Sequence, residues 1–474
     1  MTRAWATFAA LALGACAVGP DFEPPGAPAA TTYAAPEDRA AAANVQLTPS
    51  ASARSEWWTA FGSGELNALV GEAFAHNQTL AEANANLDQA RAEASVTAGG
   101  ALPQVNAQSS AVRERINTQA FGFTGFPSPT ISLYSLGGGV AFDLDPFGGR
   151  RRAVERDVAY AAAQQARVDA AYLTISGNVV QQAMLIAGLE EKQAAQSDII
   201  AGDQQILDMV RRAIRAGGQP PAAANTIEAQ LAEDQAALPP LRQQLAQARH
   251  RLALYLGRTP SDGTEGQLLL AALQIPSNIP VSLPSELVRR RPDILAAEAD
   301  LHAATANIGV ETAALYPSIS LNASLTQGAI DPDQIFSSAS TGWSVGPSLT
   351  APIFHGGALR AQVHAANATQ RAALAKYQQT VLEAFVQVSD TMQAIANNQD
   401  LVAIQHRAVD TANANVRDSR FAYDNGAGTL LSLVDAQRQA TRARLAEVDA
   451  RIAYDQSIAA LYVATAADWR AAPP

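Results

Sequence analysis

The sequence repeats itself, and this internal duplication constrains the fold more than any other feature. Three positions recur 214 residues later: Leu80, Leu87 and Pro103 correspond to Ile294, Leu301 and Pro317. Three more recur at an offset of 207 residues: Gln230, Leu238 and Leu254 correspond to Gln437, Leu445 and Leu461. Each copy contains a strand pair too small to stand alone and a helix pair too long for one compact domain. The duplication therefore sets the architecture.

Composition favours closely packed helices and excludes nucleic acid as a partner. Alanine dominates the 474 residues, whereas aromatic residues make up only 6% and charged residues 16%. Helices rich in alanine can approach one another closely, which suits a tightly packed helical wall. The net charge of −11 argues against nucleic-acid binding, because a phosphate backbone needs a basic face. An acidic envelope protein, or an aqueous passage that favours cations, is compatible with this charge.

The N-terminus indicates export followed by lipid attachment. A positive charge at Arg3 precedes a short apolar stretch, and the run Leu-Gly-Ala-Cys that ends at Cys16 resembles the lipobox of bacterial lipoproteins. The apolar stretch is far shorter than the roughly 20 residues needed to span a bilayer, so residues 1–15 are predicted to be a removable signal peptide. Cys16, the only cysteine, would then carry acyl chains, and Ala17 favours sorting to the outer membrane. The alternative is an ordinary signal peptide in which Cys16 is incidental.

The rest of the chain divides into a tether and two copies joined by a linker. Residues 16–55 are rich in Pro, Ala and Thr without periodicity, which predicts an extended tether. The first copy is assigned to residues 56–257, the linker to residues 258–283 and the second copy to residues 284–474. Neither a serine- or glycine-rich linker nor a block of charge separates the copies, so one merged architecture is expected.

Each copy is predicted to contribute one pair of strands. In the second copy, residues 317–327 and 342–353 alternate between apolar and small polar side chains, which is the period of a strand. Residues 104–115 and 131–144 are the corresponding strands of the first copy. An apolar face opposite a small polar face suits lipid or core on one side and water on the other. A strand of about 12 residues, tilted by roughly 45°, is long enough to cross a bilayer.

Four strands are too few to close a barrel. An open sheet edge in lipid would leave backbone groups unpaired at a cost of several kcal/mol each. Other chains must therefore complete a membrane sheet, and three chains that supply twelve strands would satisfy this requirement. The alternative is a small soluble sheet packed on the helices.

The helical segments are too long for a globular domain. Residues 358–424 contain neither Pro nor Gly, and at 1.5 Å per residue such a helix would reach roughly 100 Å. Apolar residues recur along it at alternating spacings of four and three, as in a coiled-coil seam: Val381, Phe385, Val388, Met392 and Ile395. Its predicted partner covers residues 430–464. The equivalent pair in the first copy covers residues 151–216 and 222–256.

Several motifs, spread over the whole mature chain, together resemble a known family. They are Cys16-Ala-Val-Gly-Pro-Asp-Phe, Trp57-Trp58, Asn77-Gln-Thr-Leu80, Asp143-Leu-Asp-Pro-Phe147, Leu287-Val-Arg-Arg-Arg-Pro-Asp-Ile294, Tyr316-Pro317, Pro352-Ile-Phe354 and Asp435-Ala-Gln437. In this order they are similar to the TolC-like outer-membrane efflux proteins, in particular to the lipoprotein branch of NodT or OprM type. The run that begins at Leu287 is the most specific of these motifs.

This resemblance implies a mostly α fold with a membrane β-barrel part. Three chains would form a twelve-stranded barrel in the cell outer membrane, which continues into a periplasmic α-barrel of long helical hairpins. A periplasmic adaptor and an inner-membrane RND-type transporter would deliver small molecules, such as drugs or other toxic compounds, to this passive duct. Metal-ion efflux, type I protein secretion and a non-conducting structural envelope lipoprotein are the alternatives. The inner-membrane transporter would determine which compounds are exported.

The resemblance also places a pore constriction at the tips of the long helices. Leu431 and Asp435 fall where relatives form an apolar and an acidic ring, and their spacing puts both on one helix face. Three acidic groups around a narrow pore would attract cations. Tyr423 matches a gate tyrosine, but Asp424 stands where relatives often have Arg, which puts the usual gate salt bridge in doubt. The alternative is that Leu431 packs in the helix seam and that Asp435 is a solvated or capping carboxylate.

Glycines at the hairpin tips are candidate contacts for the adaptor. Gly217, Gly218 and Gly426 would permit close approach of a partner hairpin, because they carry no side chain. The alternative, which can hold at the same time, is that glycine supplies a positive φ in the turn. The arginine runs at residues 150–152 and 289–291 are predicted either to be solvated or to pair between helices.

The sequence contains no catalytic constellation. The six histidines form no metal-binding pair with a glutamate between them, and the Gly137–Gly139 run precedes a strand and not a helix. The chain is therefore predicted not to be an enzyme and to bind no metal. The only covalent group expected is the lipid on Cys16.

Overall fold

The computed structural model describes residues 17–26, 32–33, 47–49, 56–122, 125, 127–263, 270, 273–276, 279–281 and 284–466. The predicted signal peptide and Cys16 lie outside the described residues. The chain divides into two compact units, and each unit combines segments of both copies. The strand unit comprises Met1–Pro25, Asn86–Gln165 and Ala296–Gln378. The hairpin unit comprises Gly26–Ala85, Ala166–Leu295 and Gln379–Pro474.

The described residues form nine helices and six strands, besides short 3₁₀ turns. The helices are α1 Gly64–His76, α2 Gln78–Gly100, α3 Gly149–Arg215, α4 Ala222–Ala236, α5 Leu238–Tyr255, α6 Pro284–Arg290, α7 Pro292–Ala313, α8 Ala358–Asp424 and α9 Leu430–Ala464. The strands are β1 Leu47–Pro49, β2 Gln104–Arg115, β3 Thr130–Leu144, β4 Ile279–Val281, β5 Ser318–Ala329 and β6 Thr341–Thr350. Among the described helices, none combines the length and the apolar composition needed to cross a membrane.

The strand unit is organised around a four-stranded antiparallel sheet in the order β2-β3-β5-β6. Its register aligns side chains of one kind across all four strands. One cross-strand row is apolar: Val105, Val140, Ala323 and Val345. The neighbouring row, which points to the opposite face, is polar or lacks a side chain: Asn106, Gly139, Ser324 and Ser344. The sheet therefore has one apolar and one polar face, because successive residues of a strand point to opposite faces.

Two strand ends in the second copy differ from the sequence-based expectation. The last strand was predicted to run to residue 353, but β6 ends at Thr350. Pro352 has no N–H to donate to a ladder, so the strand stops before it. The preceding strand extends beyond the predicted residue 327 to Ala329, because Ala329 still pairs with Tyr134 of β3.

Two long helices lead to the tips of the hairpin unit. Both α3 and α8 contain 67 residues. The boundaries of α8 coincide with the segment that lacks Pro and Gly, from residue 358 to residue 424. The second return helix, α9, covers the predicted residues 430–464 as one unbroken helix.

The prediction of one helix over residues 222–256 was wrong. The segment forms two helices, α4 and α5, which meet at Ala237. Pro239 and Pro240 cause the break, because neither can donate a backbone hydrogen bond to the carbonyl four residues earlier. Nearby, the Gln196 Nε2 atom donates to the carbonyl oxygen of Asp234 at 2.9 Å.

The core of the hairpin unit includes two sites where helices approach very closely. A Cβ atom on Gly188 of α3 would lie 2.1 Å from Ile452 Cδ1 of α9, and one on Gly177 would lie 2.5 Å from Val463 Cγ2. Beside this contact, the Trp57 indole stacks on the Tyr462 ring at a centroid distance of 5.4 Å. Glycine is therefore required in α3 where α9 crosses it.

The predicted tether and linker are not simply unstructured connections. β1, from the tether, pairs in parallel with β4, from the linker, through three residues of each strand. This two-stranded sheet lies in the hairpin unit. A parallel pair so distant in sequence has no local pattern that could predict it.

Candidate functional site

The four-stranded sheet exposes apolar side chains that a soluble sheet would cover. On its apolar face, Val105, Trp343 and Val345 are 75%, 75% and 64% exposed. On the polar face, serine hydroxyls pair across strands: Ser110 Oγ lies 2.7 Å from Ser135 Oγ, and Ser324 Oγ lies 2.8 Å from Ser344 Oγ. Within the described residues, β2 and β6 each have a single neighbouring strand, so both edges of the sheet are open. This arrangement suits lipid on one face, water on the other and further strands at each edge.

The two hairpin tips have the same backbone geometry. At the first tip, Gly217 has a φ of 77°, its N–H donates to Ile214, and the N–H of Gly218 donates to Ala213. At the second tip, Gly426 has a φ of 71°, its N–H donates to Tyr423, and the N–H of Ala427 donates to Ala422. Both are Schellman motifs, in which glycine ends the helix in the left-handed conformation. Gly217 and Gly426 thus have a structural role, as the alternative for these glycines predicts.

The predicted constriction residues lie on or beside the exposed face of the second tip. Leu431 is 67% exposed, and Asp435, one turn later, is also exposed. The Gln439 Nε2 atom donates to Asp435 Oδ2 at 3.3 Å. The neighbouring positions Leu430 and Val434 are buried in the apolar cluster of the tip. In the isolated chain, Leu431 therefore faces away from the seam that its alternative role would require.

Tyr423 and Asp424, at the end of α8, lie in different environments. Tyr423 is half-buried and packs against the apolar cluster formed by Ile206, Leu207, Val210, Ile227, Leu430 and Val434. Asp424 is exposed, and its Oδ2 lies 4.0 Å from Arg420 Nε, one turn earlier on the same helix. An exposed pair at this spacing contributes little stability. Arg420 is thus the basic neighbour of Asp424 in this structure.

The N-terminal segment docks on the strand unit through a buried arginine. Arg152 is only 5% exposed, and it donates to Asp21 Oδ1 at 2.5 Å and to Glu155 Oε2 at 2.8 Å. The other Glu155 oxygen lies 2.9 Å from His302 Nε2, and Phe22 stacks on the His302 ring at 4.4 Å. Burial alone would lower the pKa of Arg152, but its two carboxylate partners outweigh burial and raise it. Likewise, burial would raise the pKa of Glu155, but His302 and Arg152 together lower it.

Residues that follow the predicted lipidation site in the sequence contact the strand unit near the end of β3. The N–H of Val18 donates to the carbonyl of Phe147 at 3.0 Å, between the end of β3 and the start of α3. Gly19 contacts Gly309 so closely that a Cβ atom there would lie 2.5 Å from the Gly309 Cα. Val18 and Gly19 of the predicted tether are therefore packed against the strand unit.

The arginine runs are used mainly for pairing. Arg291 of the hairpin unit donates to Asp293, to the carbonyl of Ala464 at 2.9 Å and to Gln387 at 2.6 Å. Arg150 of the strand unit pairs with Asp143. A solvated role is therefore wrong for Arg152 and Arg291, because both arginine side chains are largely buried and each donates to several acceptors.

Comparison with known proteins identifies the family of this chain. The family profile described as outer membrane efflux protein matches residues 69–258 and 283–467, which is most of both copies. The chain belongs to the outer membrane efflux protein family. The predicted family, the TolC-like fold class and the location in the outer membrane are thereby confirmed. Members of this family are channels and not enzymes.

Individual relatives are similar over nearly their whole length. The chain is 30% identical to the pyoverdine export outer membrane protein OpmQ of Pseudomonas aeruginosa, over 98% of this chain and 96% of OpmQ. It is 27% identical to the cation efflux system protein CusC of Escherichia coli, over 97% of each chain. Its fold matches the solved structure of the outer-membrane channel OprN with a TM-score of 0.86 and 30% identity, over 96% of this chain and 100% of OprN.

Some functional candidates stay predictions, and one feature was missed. The roles of Leu431, Asp435, Tyr423 and Asp424 in a constriction, and of the tip glycines in adaptor contact, are tested by neither the fold nor the comparisons. The docking of Asp21 and Phe22 was missed, because no periodicity marks a segment that binds through single side chains. Within the described residues, no three His, Cys, Asp or Glu side chains come together as a metal site.

Proposed function

We propose that three copies of this chain form the exit duct of a tripartite efflux pump. The observation that carries this proposal is the exposed four-stranded sheet, apolar on one face and polar on the other, with two open edges. Joining β6 of one copy to β2 of the next would pair both edges and produce a closed barrel of twelve strands. The apolar face would then contact lipid and the polar face would line water.

The proposed duct conducts small molecules passively. Its relatives include proteins named for pyoverdine export and for cation efflux, which are both exports of small solutes. Energy and cargo selection would come from an inner-membrane RND-type transporter, which is connected through a periplasmic adaptor. The lipid on Cys16 would anchor each copy in the outer membrane, and no other cofactor is needed. The tip glycines Gly217, Gly218 and Gly426 would lie where the adaptor docks.

The second hairpin tip would form the constriction of the duct. Leu431 and Asp435 are both exposed on α9 and lie one turn apart, so three copies would place three leucines and three carboxylates around one axis. Asp424 adds a further negative charge at the end of α8, and Tyr423 fixes that helix end to the apolar cluster of the tip. A ring of this kind favours cations and resists anions.

Bilayer recordings of the purified protein test both assembly and conduction. The assembled form should have the mass of three chains in detergent, and it should conduct ions across a planar bilayer. Asp435→Asn and Leu431→Ser should each raise the leak current, and Asp435→Asn should also lower the preference for cations. Asp400→Asn removes an exposed carboxylate from α8 away from the tip and is the matched control.

Three results would separate the parts of this proposal. A monomeric protein would reject the shared barrel. A trimer that passes no current would instead indicate a structural lipoprotein that scaffolds its partners. Normal current that is insensitive to Leu431 and Asp435 would keep the duct and reject the constriction.

A further inference from the structure

A cavity lies within the hairpin unit, among four of its helices. Its volume is about 320 Å³, and it is lined by α3, α4, α8 and α9. Charged side chains from three of these helices line it, among them Asp203 of α3, Asp234 of α4 and Arg438 of α9. None of the residues assigned to the constriction or to the adaptor contact lines this cavity. It is therefore separate from the proposed functional site.

One buried carboxyl group in this cavity lacks a partner for one of its oxygens. Asp203 is only 7% exposed, and its Oδ2 atom has no hydrogen-bond partner in the described structure. Its side chain lies within hydrogen-bonding reach of Asp234. Asp234 in turn accepts a hydrogen bond from Gln230 Nε2 at 2.5 Å. Two carboxyl groups this close cannot both be ionised without strong repulsion, so one shared proton is the natural bridge between them.

Burial and the neighbouring Asp234 together raise the pKa of Asp203 to about 7, although Arg438 opposes the shift. The other charged groups that line the cavity come from the same three helices: Asp198, Glu233, Arg442 and Arg444. α8 contributes Asn413 and Val416, which carry no charge. The cavity is therefore lined by four acidic and three basic side chains. Its net charge depends on whether one proton is bound to the pair of Asp203 and Asp234.

Arg438 is placed to respond to the loss of that proton. Its Nη2 atom lies 3.8 Å from Glu233 Oε2, which is a loose contact, and it already acts electrostatically on Asp203. A second negative charge on the pair of Asp203 and Asp234 would offer Arg438 a stronger partner than Glu233 alone. Arg438 belongs to the second hairpin, whereas the two carboxyl groups belong to the first.

The helical hydrogen bonding of the backbone beside this cavity is interrupted. α4 ends at Ala236, only two residues after Asp234, where Pro239 and Pro240 remove two helical hydrogen bonds. At this point the Gln196 Nε2 atom donates a hydrogen bond to the Asp234 carbonyl. A change in charge at Asp234 therefore acts next to the one interruption in the return helix of the first hairpin.

We propose that this cavity is a proton-binding site that controls how the two hairpins of one chain are held together. With one proton shared between Asp203 and Asp234, α3 and α4 are bridged and Arg438 stays near Glu233. When the proton leaves, the two carboxylates repel each other and draw Arg438 away from Glu233, which moves α9 relative to α3. Arg438 follows Asp435 by three residues on α9, so this movement reaches the tip.

Spin labels on the two hairpins test this proposal directly. Cysteines at Ala201 of α3 and Ala443 of α9 report the distance between the helices without lining the cavity. Labelled chains are diluted with unlabelled chains, so that only distances within one chain are measured. In the parent protein, the mean distance should change with pH, with a midpoint near pH 7.

Two variants and one control decide the outcome. Asp203→Asn mimics the protonated group, so the distance should remain at its low-pH value throughout. Arg438→Gln should abolish the movement while the protonated carboxyl band still titrates in infrared difference spectra, now with a higher midpoint. Asp198→Asn removes an exposed carboxylate from the same cavity and should leave the transition in place.

Two results would overturn the proposal. One is a parent protein whose distance does not change between pH 5 and pH 9. The other is a transition that persists unchanged in Asp203→Asn or in Arg438→Gln. If Asp203→Asn failed to fold, the Arg438→Gln variant would still decide, because its side chain is not part of the carboxyl pair. Neither measurement depends on conduction, so the proposal stands or falls separately from the duct.

Discussion

The two hairpins belong to the two copies of the duplicated unit, yet only their first helices, α3 and α8, are alike. α3 and α8 have the same length of 67 residues, and both end in a Schellman motif at glycine. The return halves differ, because the first is broken into α4 and α5 whereas the second is the continuous α9. The two hairpins thus share helix length and tip geometry but differ in the path back from the tip.

The packing of the outward helices differs as well. α3 carries Gly177 and Gly188 where α9 crosses it, whereas α8 contains no glycine. At the offset of 207 residues, Ala248 of α5 corresponds to Asp455 of α9, and both positions are buried. The second return helix therefore carries both the closest crossing and a buried acid, and the first return helix carries the break.

The largest expected effect concerns this buried acid. Burial raises the pKa of Asp455 to about 7, although Arg451 opposes the shift. The folded protein thus holds the proton more tightly than the unfolded chain, and the stability gained from it is lost as pH rises from about 4 to 7. The loss is at most about 4 kcal/mol, because one pKa unit corresponds to about 1.4 kcal/mol.

Apparent melting temperatures measured by circular dichroism in detergent at pH 5 and pH 8 test this prediction. Asp455→Asn should reduce the difference between the two temperatures. Asp449→Asn, an exposed carboxylate on the same helix, is the control and should keep that difference. An unchanged difference in Asp455→Asn would contradict the prediction.

The next prediction concerns proline in the return helices, where a break like that of the first hairpin can be introduced into α9. Pro239 of the first hairpin corresponds to Ala446 of α9. Ala446→Pro removes a hydrogen bond inside an unbroken helix and should cost about 3 kcal/mol or more. Pro239→Ala restores a donor at a site already adapted to the break, so its effect should stay within about 1 kcal/mol. Equal destabilisation by both changes would show that the two return helices do not differ in this respect.

The same glycine-to-alanine substitution should have opposite effects on stability at the close crossing and away from it. Gly188→Ala inserts a methyl group against Ile452 and should destabilise the protein by about 1–3 kcal/mol. Gly202→Ala, on the same helix, meets open space and should stabilise it by up to about 1 kcal/mol. Adding Ile452→Ala to Gly188→Ala should recover part of the loss. Thermal melts of the four proteins check this pattern, and equal effects of both glycine changes would refute it.

The smallest effect concerns the helix start after each tip. The Thr429 side chain accepts a hydrogen bond from the N–H of Ser432 and caps α9. In α4 the N-cap residue is Pro221, which provides no side-chain cap. Thr429→Ala should therefore cost about 1 kcal/mol, and Thr429→Asp should retain most of the stability. Hydrogen exchange of the first turn of α9 measures this locally, and equal protection in the Ala and Asp variants would reject the cap.

Features that depend on local pattern could be predicted from the sequence. The absence of Pro and Gly between residues 358 and 424 gave both ends of α8, and the alternation in residues 317–327 gave the faces of β5. The division at Ala237 could also have been found, since Pro239 and Pro240 are visible in the sequence. There the helical pattern continues on both sides of the break, which favoured the prediction of one helix.

Features that depend on distant contacts could not be predicted. The pairing of β1 with β4, the ion pair between Asp21 and Arg152 and the cavity around Asp203 all join segments more than 25 residues apart. Each requires knowing which segments of the chain meet, and the residue pattern of one helix or strand does not state its partner. The exposure of Leu431 is a different case: its apolar side chain alone predicts burial, and only the family resemblance predicted an apolar ring at this position.

The unpaired margins of β2 and β6 have a consequence for biogenesis. Before it reaches the membrane, each newly made chain has two edge strands with unpaired backbone groups beside an exposed apolar sheet face. Such edge strands readily pair with other chains and cause aggregation. The chain therefore requires a chaperone that covers these edges in transit, and the proposed trimer would cover them after assembly. Expression that outpaces this chaperone should fill the periplasm with insoluble material before it fills the membrane.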